Sequence, residues 1–490
     1  MSLLDHLTVK SAPDGICLRG RSTDVAPREV HTVLKGLSGQ LELPAKYAPL
    51  AGDLFLLRDR SGVFLYSPLR RAVVEINEPA GRVLRDTPAP TGFPPAIDRV
   101  LERLAALPAG NPRLGNAHRD GFRNLVLLLT RGCNLACPYC FASSDRSWTT
   151  ISRSSALEGI GMVLSDAAYR HHSSVRITFL GGGEPTAVWP LLCDVTESSE
   201  ELARGLGVTV SFSLVTNGTL ISAERAAWIA KHIAHTSVST DVLPSIQNTQ
   251  RPLRGELPSF FRMSQGIQHL LQHGVRPGLR ATVTASGIRQ MSDMVAFVYR
   301  EWAGCDRLQL EPVATSSESD SLELDPSLFV SEFMRARSFG KTLGIVVECS
   351  ISRSLDRLRS RFCSGELCIT PEARIVACHR ISSERDRGFS SVQYGSLFGS
   401  GVELDVDKYE SLRNINARTL PECQSCFCRW TCGGDCMALR WMKDGDLQRP
   451  QRCDLVRALT VAILRESLQE KHSLGREENG QHRLDAGIAN

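Results

Sequence analysis

The sequence predicts an α/β fold. A parallel sheet, open or curled into a barrel, is expected between a small N-terminal α+β unit and a cysteine-rich C-terminal region. Three observations predict it. Strand-like apolar runs alternate with helical patterns over about 230 residues, the mark of parallel βα units. The runs are nearly continuously apolar, as in strands covered on both faces. The cysteines are clustered: nine of the 16 fall between positions 363 and 453, and three more lie at 133–140.

The elements follow in chain order. GDLFLLRDRSGVFLYSP (52–68) reads as a strand pair turning at Asp59-Arg60-Ser61-Gly62. EPAGRVLRDT (78–87) reads as a short helix, which the Pro-rich 88–95 ends. AIDRVLERLAAL (96–107) is helical by period, and 108–120 reads as a linker. Strands are expected at 123–130, 175–181, 208–216, 236–240, 278–284, 307–312 and 344–349. Helices between them include 154–169, 222–233 and 259–274. After Cys349 strand periodicity fades and turn residues increase, which marks another domain. The last 25 or so residues are polar and expected to fray.

Composition narrows the function. A chain of 490 residues suggests about three domains. Its 42% hydrophobic and 22% charged residues are ordinary globular values. A net charge of +4 predicts no nucleic-acid partner. No apolar run of about 18 residues predicts a membrane span. Asp5 and His6 interrupt what a signal peptide would keep apolar, so a cytoplasmic protein is expected. Clustered cysteines in a reducing compartment point to metal rather than disulfides.

The first strand leads into LLLTRGCNLACPYCF, where Cys133, Cys137 and Cys140 are spaced C-x3-C-x2-C. Three thiolates can hold three irons of a [4Fe–4S] cube and leave the fourth iron open. A zinc loop with a distant fourth ligand is the other reading of the spacing. The loop follows a strand, and parallel α/β folds place their sites at strand C-termini.

With Tyr139 in the aromatic place, CNLACPYC resembles the signature of radical S-adenosylmethionine (SAM) enzymes. The resemblance implies a partial (β/α)6 TIM-like barrel, with SAM chelating the open iron and yielding a 5′-deoxyadenosyl radical. Further motifs match in order. FLGGGEPT (179–186) resembles the glycine-rich segment that meets the SAM amino group, through Gly182, Gly183, Glu184 and Pro185. LVTNGT (214–219) is similar to the next strand-end motif, with Asn217 toward the barrel mouth. SVSTD (237–241) resembles the ribose-contacting segment, with Ser239 and Asp241 as partners; Val242 stands where the family often has Gly. LQLEPV (308–313) resembles the segment flanking adenine, through backbone around Leu310.

The C-terminal cysteines resemble the SPASM extension of that family. Cys423, Cys426, Cys432 and Cys436 read C-x2-C-x5-C-x3-C, with Cys453 beyond and Cys363, Cys368 and Cys378 upstream; Ala373 replaces the pattern's Gly. The family's ligand pattern implies one auxiliary cluster on Cys363, Cys368, Cys378 and Cys436. It implies another on Cys423, Cys426, Cys432 and Cys453, hence three [4Fe–4S] clusters and a C-terminal iron–sulfur domain. Two zinc knuckles remain the alternative, and with them a non-catalytic binding protein. Cys17, Cys193, Cys305 and Cys349 read as small buried hydrophobes, and Cys428 stands inside the ligand run without a place in the pattern.

The resulting division is an N-terminal domain at 1–115, a barrel at 116–349, an auxiliary-cluster domain at 350–465 and a tail at 466–490. The resemblance implies a maturase acting on a ribosomally made precursor peptide, forming a side-chain crosslink. It also implies an external one-electron donor of flavodoxin or ferredoxin type. The competing outcome is sulfatase maturation, oxidation of a protein Cys or Ser to formylglycine. That subfamily carries an acidic base after the third upstream cysteine; here His379 follows Cys378 and is the candidate base. Residues 61–84 faintly resemble a leader-peptide recognition domain, which binds its peptide by strand addition.

Overall fold

The computed structural model describes residues 41, 43–86, 93–112, 121–142, 147–314, 324–363, 367–399, 401–441 and 452–485. The expectations for the first fifteen residues and Cys17, and parts of those for 88–95, 108–120 and the C-terminal tail, lie outside them.

The N-terminal unit is a three-stranded antiparallel sheet of β1 (Phe55–Asp59), β2 (Gly62–Ser67) and β3 (Ala72–Ile76), followed by α1 (Glu78–Asp86) and α2 (Pro95–Ala106). The expected turn closes the first hairpin: the Asp59 carboxylate accepts from the backbone N–H of Ser61 at 2.8 Å and Gly62 at 3.1 Å. The third strand, AVVEI, falls in the segment 61–84, which reads as strand, turn, strand and helix. Strand alternation gives this sheet two cores. Leu54, Leu56, Val63 and Leu65 pack with Leu84, Leu101 and Leu104 of the helices. Phe55, Leu57, Phe64 and Tyr66 join the main core of the protein.

That main body is built on β4 (Asn124–Leu127), β5 (Ser174–Phe179), β6 (Thr209–Thr216), β7 (His235–Ser239), β8 (Gly278–Val283), β9 (Arg307–Pro312) and β10 (Val346–Glu348). All pair in parallel with their chain neighbours. Six crossovers join them, carrying α3 (Arg153–Tyr169), α4 (Trp189–Gly205), α5 (Ala223–His232), α6 (Phe260–Gln272), α7 (Met291–Glu301) and α8 (Pro326–Thr342). Side-chain caps set three helix starts: Ser152, Ser222 and Asp325 accept from the N–H of Ser155, Arg225 and Ser327. This is the partial barrel.

Its strands are not covered equally on both faces, which corrects the reading of continuous apolar runs. On β6, buried Phe212, Leu214 and Thr216 alternate with half-buried Ser211, Ser213 and Val215. On β8, Leu279, Ala281 and Val283 are buried while Arg280 is exposed. One face packs under the helices, and the other forms a polar barrel interior.

Strands do not fade after Cys349. β11 (Leu367–Ile369) pairs in parallel with β4, Cys368 opposite Val126. β12 (Arg374–Val376), β13 (Gln393–Leu397) and β14 (Val402–Leu404) continue antiparallel, so the barrel and the cysteine-rich region share one eleven-stranded sheet. The tail expected to fray from 466 instead continues helix α9 (Cys453–Asp485). Glu466 on it pairs with Arg337 of α8 at 3.0 Å and Lys341 at 2.8 Å. Among the described residues no helix is long and apolar enough to cross a membrane.

Candidate functional site

β4 delivers the chain to Thr130, and the cysteine loop begins there. Arg131 pins it. Its guanidinium forks onto Glu372 with two 2.6 Å bonds and donates to the Ser382 carbonyl at 2.7 Å. The loop is therefore tied to the turn between β11 and β12. On the other side, Arg254 donates from Nε to the Cys133 carbonyl at 2.7 Å, and Ala136 N–H bonds to Pro252 at 2.8 Å.

The glycine-rich segment after β5 docks on the same loop by backbone. Gly183 N–H donates to Thr130 at 2.7 Å and Glu184 N–H to Gly132 at 2.8 Å. A Cβ at Gly183 would stand 1.9 Å from the Gly132 carbonyl oxygen, so only glycine fits. The close approach expected of these glycines is thus made first to the cysteine loop itself.

Cys133, Cys137 and Cys140 line one cavity of about 800 Å³ together with Gly182, Gly183 and Glu184. Asn217 and Ser239 line it from the ends of β6 and β7. Burial pushes the Cys133 thiol up to about 12 and Cys137 up to about 11. These thiols hold their protons until a metal displaces them.

The structure gives several of the expected residues a definite local role. The Glu184 carboxylate accepts from Thr186 N–H at 3.1 Å, from the hydroxyls of Thr186 and Thr216 at 2.6 Å each, and from Asn217 N–H at 2.7 Å. It clamps the glycine segment to the end of β6. Burial raises its carboxyl above the usual range, and those four donors oppose the shift. Pro185 is buried at the start of the short turn that follows. Asn217 donates to Asn134 Oδ1 at 2.9 Å and stands 4.0 Å from Cys133 Sγ. Tyr139 donates to Asp241 at 2.5 Å, and Asp241 also meets Thr282 N–H at 3.0 Å and Arg251 at 3.1 Å. Asp241 is fully buried and lies behind the cavity wall rather than in it. Leu310 is fully buried in β9 and likewise off the wall. His379 is half-buried, its ring 6.0 Å from that of Phe141, a wall residue.

Arg131, Arg251, Arg254 and Phe141 line this cavity and were not singled out from sequence. Three are loop arginines with no periodic or spacing signal. Phe141 directly follows Cys140, the one cue available.

Of the downstream cysteines, the structure brings one set onto a common cavity. Cys423, Cys426, Cys432 and Cys453 line a second cavity of about 350 Å³, and Cys428 lines it too. Arg429, Arg440 and Arg457 surround these sulfurs with positive charge, which suits an anionic thiolate cluster. Cys363 and Cys378 stand within reach of the buried Arg361 charge, and Arg361 contacts the Met437 sulfur at 2.8 Å, next to Cys436. Gly433, at φ 67°, lets its loop lie directly on the Arg361–Phe362 backbone, 2.6 Å from where its Cβ would be. Cys368 is buried on β11. Among the described residues, no three His, Cys, Asp or Glu side chains are drawn around the position of a single ion. A cube is a larger body, each ligand standing on its own iron. The donor chemistry of all three sets fits iron–sulfur clusters. Of the remaining cysteines, Cys305 and Cys349 are buried, Cys349 capping a short helix, while Cys193 is only half-buried.

Comparison with known proteins agrees with this geometry. Residues 127–293 match the Radical SAM superfamily. A serine-type anaerobic sulfatase-maturating enzyme of Klebsiella aerogenes is 26% identical over 341 residues, covering 65% of this chain and 80% of that protein. An Fe-coproporphyrin III synthase of Methanosarcina barkeri is 28% identical over 168 residues, 34% of this chain and 38% of that protein. The solved structure described as native anSMEcpe with bound AdoMet and Cp18Cys peptide superposes with a TM-score of 0.57 at 18% identity, covering 71% of this chain and 99% of that one. At that identity the last likeness speaks for the fold.

Proposed function

For this chain, an enzyme whose residues 127–293 are a radical SAM domain, we propose a maturase that removes hydrogen from a ribosomally made precursor peptide and joins two of its side chains. One observation carries it: the Cys133–Cys140 loop, the glycine segment and Ser239 meet on one cavity at the strand C-termini. Cys133, Cys137 and Cys140 would hold the SAM-binding cluster and the two downstream sets the auxiliary ones. Bound there, these groups supply a radical able to take hydrogen from an unactivated carbon, and acceptors for the electron left behind.

The chain's own residues supply the rest. Arg131, Arg254 and Gly183 fix the cysteine loop on three sides. The Tyr139–Asp241–Arg251 lock holds the aromatic residue of the motif in place. Joining two side chains removes two hydrogens: one as an atom, the other as an electron and a proton. His379, beside Phe141 at the cavity wall, is the group to take that proton. An external donor of flavodoxin or ferredoxin type supplies the starting electron.

The peptide is read by the N-terminal unit in this proposal. Its sheet has β1 and β3 as outer strands, and an extended leader adds to such an edge through backbone bonds. The Klebsiella relative favours a second reading, oxidation of a protein Cys or Ser to formylglycine. His379 in place of an acidic residue favours the first.

The test is anaerobic reconstitution followed by reaction with dithionite, SAM and peptide. About 12 irons per chain and release of 5′-deoxyadenosine are expected. A product short of two hydrogens supports the crosslink, and an aldehyde at Cys or Ser supports the second reading. Colourless, zinc-bearing protein without 5′-deoxyadenosine would overturn both.

A further inference from the structure

The second auxiliary cavity contains one thiol too many. A cube takes four, and Cys423, Cys426, Cys428, Cys432 and Cys453 all line this space of about 350 Å³. Cys428 is no surface residue aimed elsewhere: it is 1% exposed. Local backbone explains the crowding. Cys426 and Cys428 flank Phe427, whose ring turns away to meet Phe55 of β1 at 6.4 Å. Both residues line the cavity, two positions apart in the chain. Cys428 also opens the short helix that carries Cys432, whose N–H donates to its carbonyl at 2.7 Å. Thr460 of α9 bonds the Cys428 sulfur from behind.

We propose that Cys426 and Cys428 are interchangeable ligands to one iron of the second auxiliary cluster. This rests on the reading that the set holds such a cluster. The exchange balances: one thiolate leaves the iron as another arrives, the departing sulfur takes the proton the incoming one gives up, and no electron moves. The two forms are not equivalent. Cys428 is buried, with Thr460 near its sulfur, while Cys426 is half-buried beside Arg457. Exposure and hydrogen bonding at the sulfur set a cluster's potential. The site therefore has two potentials without losing iron, and the N-terminal sheet, through Phe55, touches the Phe427 that separates the two thiols.

The experiment measures iron and acid-labile sulfide per chain, with the electron paramagnetic resonance spectrum of the reduced clusters. Wild type, Cys426→Ala, Cys428→Ala and the double variant are compared after anaerobic reconstitution. About 12 irons are expected in wild type and in each single variant, the two singles giving distinct spectra, each of a cube with four thiolate ligands; the double variant, left with Cys423, Cys432 and Cys453, gives the spectrum of a cube with one open iron or loses about four irons. A single variant that loses about four irons or shows the open-iron spectrum of the double variant, or two singles with the same spectrum, overturns the proposal. Wild type at about 4 overturns the three-cluster reading instead. Valine variants, which fill the space of the thiol without offering iron a donor atom, give the same readout where alanine disturbs folding.

Discussion

At the scale of single residues, the site depends on how closely backbones approach. Gly183 lies against Gly132 so tightly that a methyl group has no room. Gly183→Ala is therefore expected to push the cysteine loop off the glycine segment. Iron per chain falls by about 4, the share of one cube, while the downstream clusters stay. Iron analysis beside the SAM-binding isotherm reads this; full iron with unaltered SAM affinity would contradict it. Two of the non-glycine residues at positive φ stand where the resembled pattern calls for Gly, Val242 at φ 64° and Ala373 at φ 59°. The turns are kept and the strain is held by the surroundings, Val242 by full burial in the core. Ala373→Gly relieves about 1–2 kcal/mol of left-handed strain and adds about 0.5–1 kcal/mol of unfolded-state entropy. A small net gain, near 0.5 kcal/mol, is expected in a urea melt. The motif residues were legible because cluster chemistry dictates cysteine type and spacing. Arg131 and Arg251 were not, because a loop arginine looks the same whether it faces water or a carboxylate.

At the scale of elements, period carried the reading and brevity defeated it. The seven barrel strands fall at their expected places, since each is an apolar run bounded by turns. β11 to β14 have three to five residues each, and unlike the equally short β4 and β10 they alternate with no helical pattern that would mark them as strands of a βα repeat. Helix α9 was hidden for another reason: from Glu466 on its sequence is mostly polar, and Glu466 and Glu470 serve ion pairs to α8. Its first half joins the ends of the chain. Arg465 reaches from α9 to Asp59 at 2.8 Å and Glu75 at 2.6 Å, and lies over the Phe64 ring at 4.8 Å. With only 9% of its side chain exposed, its removal leaves two poorly solvated carboxylates on the small sheet. Arg465→Ala is expected to cost about 2–3 kcal/mol. It should also raise amide exchange across β1 to β3 more than across β4 to β9. Uniform exchange in both sheets would deny the clamp.

At the scale of the molecule, one sheet joins the two halves of the chemistry. The boundary placed after Cys349 follows composition, but hydrogen bonds cross it: β11 lies on β4, and Leu128 N–H donates to the Ile369 carbonyl at 3.0 Å. Arg131 adds the Glu372 fork a few residues further on. The β1 and β2 side chains Phe55 and Tyr66 pack on Phe427 and Thr431, so the N-terminal sheet closes on the same region. Each part buries a face that another part needs. A chain ending at Glu348 would leave β4 as an open edge and strip the cover from Phe55, Leu57, Phe64 and Tyr66. An unpaired apolar edge of this kind associates rather than stays in solution. Such a chain is expected to be recovered as aggregate, with its Cys133–Cys140 cluster lost. The full chain is expected to unfold in one cooperative transition, with the N-terminal sheet, barrel and cysteine-rich region reporting the same midpoint by hydrogen exchange. Separate midpoints, or a shortened chain that stays monomeric and keeps about four irons, would show a barrel that stands alone. In that case Arg131–Glu372 would be a contact between neighbours rather than part of the frame that holds the Cys133–Cys140 loop against the cysteine-rich region.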